Sequence, residues 1–107
     1  MTNMRDLQDK YADLLAIAKR LSVIGSAGAI LHWDLETKMP PKGIRQRSEQ
    51  LALLEVIAHQ TLVDPRVGML LDALTKEHAL ASMDDVQKRN VHLMKKAYDE
   101  EVALPEE

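Results

Sequence analysis

Apolar residues in the first third of the chain recur at alternating steps of four and three. The series runs through Leu7, Tyr11, Leu14, Ala18 and Leu21. This is the spacing of one buried stripe along an α-helix. The stripe continues beyond Leu21, and no proline interrupts it. The pattern therefore predicts one long helix over residues 4–36.

Small residues occupy positions 25–29 of this helix, where the sequence reads GSAGA. Each glycine inside a helix costs roughly 1 kcal/mol relative to alanine. Gly25 and Gly28 therefore predict that another backbone approaches the helix closely at this point. The alternative is a break near residues 22–28 that divides the segment into two shorter helices.

A proline pair ends the first helix. Met39 precedes Pro40 and Pro41, and a residue before proline is disfavoured in the helical region. Gly43 then permits a turn. The second helix is predicted over residues 43–63, and its apolar positions lie on one side: Leu51, Leu54, Ile57, Ala58 and Leu62.

Two further helices follow. Asp64 and Pro65 are a cap and a first helical residue, and residues 67–74 supply the apolar face of the third helix. Residues 76–82 are predicted as a connector. Ser82 then caps the last helix, with Asp85 in the capping-box position, and that helix extends to about Val102.

We find no strand alternation, which predicts an all-α fold in a single domain over residues 1–107. A long N-terminal helix is followed by three further helices in an antiparallel hairpin or bundle.

The composition predicts a thin core. The 107 residues include no Phe, one Trp and two Tyr, so aliphatic side chains and Met must form the interior. A chain of this size also buries only about two-thirds of its unfolded surface. We therefore expect part of its apolar surface to be covered by something outside this chain.

Several classes of function are excluded or disfavoured. The absence of Cys excludes disulfide scaffolds, thiolate zinc sites and thiol catalysis. A net charge of −3 and a pI near 5.8 argue against nucleic-acid binding, which requires a concentrated basic face. The charged start lacks a signal-peptide core, and the longest apolar run is too short to span a bilayer. We therefore expect a cytoplasmic protein with no membrane or nucleic-acid partner.

Candidate chemistry concentrates in residues 30–43, which read ILHWDLETKMPPKG. His32 and Glu36 are four apart and share one helix face, but a zinc site needs three or four ligands. The sequence contains no H-E-x-x-H, and the other histidines lie in separate segments. We therefore predict no metal site and no cofactor within these residues. His32 is expected at a packed helix interface, bonded to a carboxylate or a backbone carbonyl.

Catalytic residues are not predicted either. No serine lies in a G-x-S-x-G context, and Asp34 and Glu36 project apart from a helix. Asp34 is expected to accept a hydrogen bond from the turn backbone or from an Arg side chain. Arg45 or Arg47 either pairs with Asp34 or Glu36 across the turn, or belongs to a solvated helix start.

Trp33 is expected to pack at the helix end with its indole N–H bonded. On this interpretation, Trp33→Ala lowers the free energy of unfolding by about 3–5 kcal/mol, as a large core truncation does.

The same stretch carries a family resemblance. Its marker residues have fixed offsets: Trp33, Asp34, Glu36, Thr37, Met39, Pro40, Pro41, Gly43, Arg47 and Gln50. This pattern resembles the N-terminal region of the Taq-type thermostable carboxypeptidases, which are zinc metallopeptidases. Residues 61–74 and 89–107 also resemble later segments of that region, so the resemblance covers essentially the whole chain.

The resemblance implies a mostly helical, cytosolic and usually homodimeric enzyme that releases C-terminal residues from peptides. In the family, two His and a downstream Glu hold zinc, and the Glu of H-E-x-x-H is the general base. None of these residues has a counterpart here. We therefore expect an inactive N-terminal piece of a longer enzyme, which lies over one side of the substrate groove. Its partner is either the C-terminal part or a second copy. The alternative is a free-standing, non-catalytic helical protein that self-associates or binds a partner.

Overall fold

The computed structural model describes residues 4–37 and 40–103, and this part of the chain is all-α, as predicted. It contains five helices: α1 (Met4–Glu36), α2 (Pro41–Leu62), α3 (Pro65–Leu74), α4 (Glu77–Ala81) and α5 (Asp85–Val102). α1 and α2 form an antiparallel hairpin. α3 and α5 pack near the end of the hairpin at which α1 begins and α2 ends.

α1 is one unbroken helix over the predicted range, so the alternative of two shorter helices is wrong. The close backbone approach expected at its glycines is also wrong within the described residues. A Cβ atom added to Gly25 would have no neighbour within 4 Å, and one added to Gly28 would meet only Leu51 Cδ2, at 3.9 Å. A leucine side chain of α2 therefore faces Gly28, and open space lies beside Gly25.

α2 begins at Pro41, two residues before the predicted start. Pro40 is extended, with φ −61° and ψ 147°, and Pro41 fits the first helical position because its missing N–H has no intrahelical partner there. The Gly43 N–H donates to the Pro40 carbonyl at 2.8 Å. Gly43 therefore lies in the first turn of α2 and not in a separate turn before it.

The third helix begins as predicted. The Asp64 side chain accepts from the Arg66 N–H at 2.8 Å, and Pro65 is the first helical residue. The predicted connector is wrong over residues 77–81, which form α4. Glu, Ala and Leu favour helix, and burial of Ala79 holds this short element against the core.

α5 is capped by Asp84, which corrects the predicted cap at Ser82. The Asp84 carboxylate accepts from the Gln87 N–H at 2.8 Å, and the Gln87 side chain accepts from the Asp84 N–H at 3.0 Å. This reciprocal pair is a capping box. The Ser82 hydroxyl instead donates to the Ala79 carbonyl at 2.7 Å and closes α4.

The core lies at one end of the molecule. Its buried residues come from the first half of α1 and from α3, α4 and α5: Leu7, Leu14, Val67, Leu70, Leu71, Leu74, Ala79 and Val91. No described residue between Leu14 and Val67 is buried. The outer part of the α1–α2 hairpin, residues 21–58, is therefore a two-helix arm that contains no core of its own. The molecule is accordingly elongated, with extents of 58 × 28 × 17 Å.

α1 is long and apolar enough to cross a membrane, by length and composition alone. Its most apolar window has a mean hydropathy of 1.6, and only 6% of that window is buried. A core helix of a soluble protein, which is mostly buried, and a signal sequence near the N-terminus pass the same test. The charge-free part of the helix, residues 21–33, is shorter than the roughly 20 residues that a membrane-spanning helix requires.

Substitution of two helical glycines by alanine should change the stability of the fold in opposite directions, because their surroundings differ. Gly25→Ala should raise the free energy of unfolding by up to about 1 kcal/mol, because alanine favours helix and the new methyl group meets nothing. Gly68→Ala should lower it, because the Cβ atom would lie 2.6 Å from Tyr98 Oη and 3.2 Å from Cζ. Such overpacking costs about 1–3 kcal/mol. Urea denaturation of both variants tests this pair, and a loss of stability in Gly25→Ala would contradict the open surroundings of Gly25.

Candidate functional site

The family-marker residues gather at the tip of the arm, where α1 ends and α2 begins. α1 carries Trp33, Asp34 and Glu36, and Thr37 follows it directly. The remaining described members are in or next to the first half of α2: Pro40, Pro41, Gly43, Arg47 and Gln50. Met39 lies outside the described residues. The hairpin therefore brings most of the motif into one region.

Thr37 closes the end of α1. Its hydroxyl donates to the Trp33 carbonyl at 2.9 Å, and its N–H donates to the same oxygen at 3.1 Å. Carbonyls in the last turn of a helix lack intrahelical donors. The threonine of the motif thus has a local structural role in this region.

Arg47 links the two helices of the arm. Its Nε atom lies 3.6 Å from Asp34 Oδ2, and its Nη1 donates to Gln50 Oε1 at 2.8 Å. The predicted Arg–Asp pairing across the turn is thus confirmed for Arg47. Arg45 lies instead on the solvent side, 91% exposed, with its Nε 3.4 Å from Glu49 Oε1.

The Arg47–Asp34 pair fixes orientation more than it adds stability. A separation of 3.6 Å is too long for a hydrogen bond, and both side chains are at least one-third exposed. Pairs with this exposure contribute about 1 kcal/mol or less. Asp34 therefore lies beside a guanidinium group.

His32 and Glu36 form an exposed pair near the end of α1. His32 Nε2 lies 2.9 Å from Glu36 Oε1, and the two side chains are 64% and 65% exposed. The predicted carboxylate partner is confirmed, but the predicted packed interface is wrong because both side chains are mostly exposed to solvent. Within residues 4–37 and 40–103, no group of three His, Asp or Glu side chains is arranged to hold a metal ion.

Trp33 is exposed, which corrects the prediction that it packs at the helix end. Its side chain is 66% exposed, and that of Ile30, one turn earlier, is 65% exposed. Each helix of a two-helix arm can cover only one side of the other. Trp33 lies on the side of α1 that α2 does not cover, so it presents a large apolar surface to solvent.

An apolar groove runs between α1 and α2, with a volume of about 430 Å³. Leu21, Ile24 and Gly25 line it from α1, and Leu51 and Leu54 line it from α2. Among the described residues that line it, the ionisable ones are His32 and Glu55. The groove therefore offers mainly apolar contact.

A second polar link, between His59 and Glu101, was not predicted from the sequence. His59 Nδ1 lies 2.6 Å from Glu101 Oε1, and both side chains are about 30% exposed. The contact joins α2 to α5 across 42 positions in sequence. The only local signal is that His59 stands in the last turn of α2, where a helix favours positive charge. Its position beside the core indicates a structural link.

Comparison with known proteins identifies the family to which these helices are similar. Residues 13–107 match the family described as carboxypeptidase Taq (M32) metallopeptidase. The chain is 31% identical over 96 residues to thermostable carboxypeptidase 1 of Thermus thermophilus, which is 90% of this chain and 19% of that protein. It is 32% identical over 99 residues to carboxypeptidase 1 of Bacillus subtilis, which is 92% of this chain and 19% of that protein. No solved structure matches the chain.

A third relative gives the same picture. Thermostable carboxypeptidase 1 of Pyrococcus furiosus is 31% identical over 94 residues, which is 88% of this chain and 18% of that protein. The chain therefore spans about a fifth of the length of these curated relatives.

The exposure of Trp33 predicts a small effect of its removal. Trp33→Ala should lower the free energy of unfolding by less than about 1 kcal/mol, as surface substitutions do. Leu14→Ala is the matched core truncation, because Leu14 is 2% exposed, and it should cost about 2–5 kcal/mol. Denaturant unfolding measures both. The emission of Trp33, the only Trp, should also have the wavelength of a solvent-exposed indole. A cost above about 3 kcal/mol for Trp33→Ala would show that the side chain is covered in solution.

Proposed function

Because the chain belongs to the carboxypeptidase Taq (M32) metallopeptidase family, we propose that it is the N-terminal helical segment of such an enzyme. Its role is architectural. The complete enzyme releases C-terminal amino acids from peptides, and the zinc-binding residues belong to the part that these 107 residues do not include. The observation that carries the proposal is the family match over residues 13–107 together with the 18–19% of each relative that the chain spans.

The described residues do not fit a catalytic zinc site. Such a site uses three protein ligands and an open position for water. His32 and Glu36 supply two ligand types on one exposed helix face, and His59 is held by Glu101 beside the core. No step of peptide hydrolysis is therefore assigned to a residue of this chain.

The arm is the part of the chain that can shape a binding groove. Its tip is closed by Thr37 and by the extended Pro40, and Arg47 contacts Asp34 from the opposite helix. These contacts fix the direction of two long helices that have little core of their own. We place the arm over one side of the substrate groove of the complete enzyme, as the family resemblance implies.

The same proposal includes the partner and the compartment. The chain works in the cytoplasm, and either the remaining part of the enzyme or a second copy covers its apolar surface. Large apolar side chains on the arm support a covering partner, since Val23, Ile30, Leu53 and Val56 are each at least 50% exposed. Isolated apolar residues are common on protein surfaces, but Val23 and Ile30 lie on one side of α1, and contiguous apolar surface marks interaction sites.

A second candidate function is a free-standing, non-catalytic helical protein that self-associates or binds a partner. The observation that favours it is the small core that these residues form by themselves, in which Leu14, Val67, Leu71 and Leu74 are almost fully buried. Capped helices beside this core could support an independent fold.

Reconstitution separates the two functions. The test uses the Thermus thermophilus relative without the region that aligns with this chain, here named the truncated relative. We expect the purified chain to hold no stoichiometric zinc and to release no C-terminal residue from a peptide. Co-expression with the truncated relative should yield a complex. The relative's own N-terminal region, supplied as a separate chain, is the positive control.

Two outcomes would contradict the segment function. If the relative's own region forms a complex with the truncated relative and this chain does not, the free-standing alternative is favoured. Elemental analysis that finds about one zinc per chain, together with peptide hydrolysis, would overturn both candidates.

A further inference from the structure

α1 has a second apolar stripe on the side that faces away from α2. Leu15, Val23, Ile30 and Trp33 fall within about 80° of one another around the helix axis, at 3.6 residues per turn. We name these four residues the outer face. Their side chains are 41%, 61%, 65% and 66% exposed, respectively. A helix that is apolar on two sides is typical of the interior of a large protein or of a membrane.

The charge pattern favours a protein interior. Residues 21–33 contain no Asp, Glu, Lys or Arg, so this stretch of α1 lacks the charged face that is typical of a surface helix. Apolar segments of this length are more typical of buried core helices than of membrane spans, which need about 20 residues.

The chain exposes more surface than a compact monomer of the same mass. The chain exposes 7984 Å², whereas a compact monomer of 12.1 kDa exposes about 6,000 Å². The Cα radius of gyration is 17.2 Å, whereas a compact domain of this length has about 13 Å. The excess of about 2,000 Å² is within the area that one partner buries in a large obligate interface.

We propose that the outer face of α1 is the docking surface for an apolar helix from the part of the family enzyme that these residues do not include. α1 thereby becomes a central helix, with α2 on one side and the docked helix on the other. The inference rests on the proposed function and adds the surface that mediates it.

Two observations favour this occupant over a second copy. The chain spans 19% of the Thermus relative, so most of such an enzyme is available to cover it. Exposed apolar residues also lie on other helices, with Leu53 on α2, Met69 on α3 and Val86 on α5. A two-fold dimer covers one self-complementary patch, whereas a large surrounding body can cover several sides.

The test compares two variants of the outer face. Val23→Gln/Ile30→Gln makes the face polar, and Val23→Leu/Ile30→Leu at the same positions keeps it apolar. Both pairs should leave the helical circular dichroism and the thermal midpoint of the chain unchanged, because the two side chains are more than 60% exposed and Gln and Leu favour helix. The Gln pair should weaken binding to the truncated relative roughly tenfold or more, because apolar burial is lost. The Leu pair should bind as the unmodified chain does.

The outcomes distinguish this inference from the proposed function. If the unmodified chain fails to bind where the relative's own region binds, the proposed function fails, and the inference with it. If the chain and its Gln pair bind equally well, only the inference is overturned. If the chain alone dimerises and the Gln pair abolishes the dimer, the occupant of the outer face is a second copy, and the inference is overturned. If the chain binds phosphatidylcholine–phosphatidylglycerol vesicles and the Gln pair does not, the outer face contacts a membrane, and the inference is overturned.

The truncated relative and the relative's own N-terminal region are the positive control. If these two do not bind each other, the same variants are compared in a chimera in which this chain replaces the aligned region of the relative. The Gln pair should then lower the thermal midpoint of the chimera, and the Leu pair should not. Equal midpoints for the two pairs would overturn the inference.

Discussion

Two helices that pack side by side can cover only one stripe of each other, and this limit governs the α1–α2 arm. Leu21 and Ile24 are half-buried against α2, whereas Val23 and Ile30 on the same helix remain in solvent. A core forms only where α3, α4 and α5 join the first half of α1. The elongated shape, the exposed tryptophan and the open groove between the helices all follow from the absence of a third layer along the arm.

The described members of the marker motif make structural contacts at the tip of this arm. Thr37 closes a helix end, Arg47 reaches Asp34 across the hairpin, and His32 pairs with Glu36 on the surface. These contacts set the direction of the arm. The chain belongs to a metallopeptidase family and spans 18–19% of the length of its relatives, which supports the proposal that it is one segment of a longer enzyme.

Local signals predicted much of the fold, and their failures have local causes. The Asp64–Pro65 start of α3 was confirmed because a cap and a first-turn proline act on adjacent residues. The choice of Ser82 as the cap of α5 was wrong because Asp84, two positions later, forms a reciprocal pair with Gln87. The missed helix α4 has five residues, too few to show periodicity, and burial of Ala79 against residues distant in sequence stabilises it.

The sequence by itself determined the all-α class, the extent of α1 and the family motif, because helix spacing, caps and prolines act within one or two turns. Tertiary structure decided which apolar stripe α2 covers, and therefore that Trp33 is exposed. It also decided that Arg47 and not Arg45 meets Asp34, and that His59 meets Glu101. These outcomes depend on how separate helices are placed in space, which the spacing of residues within one helix does not specify.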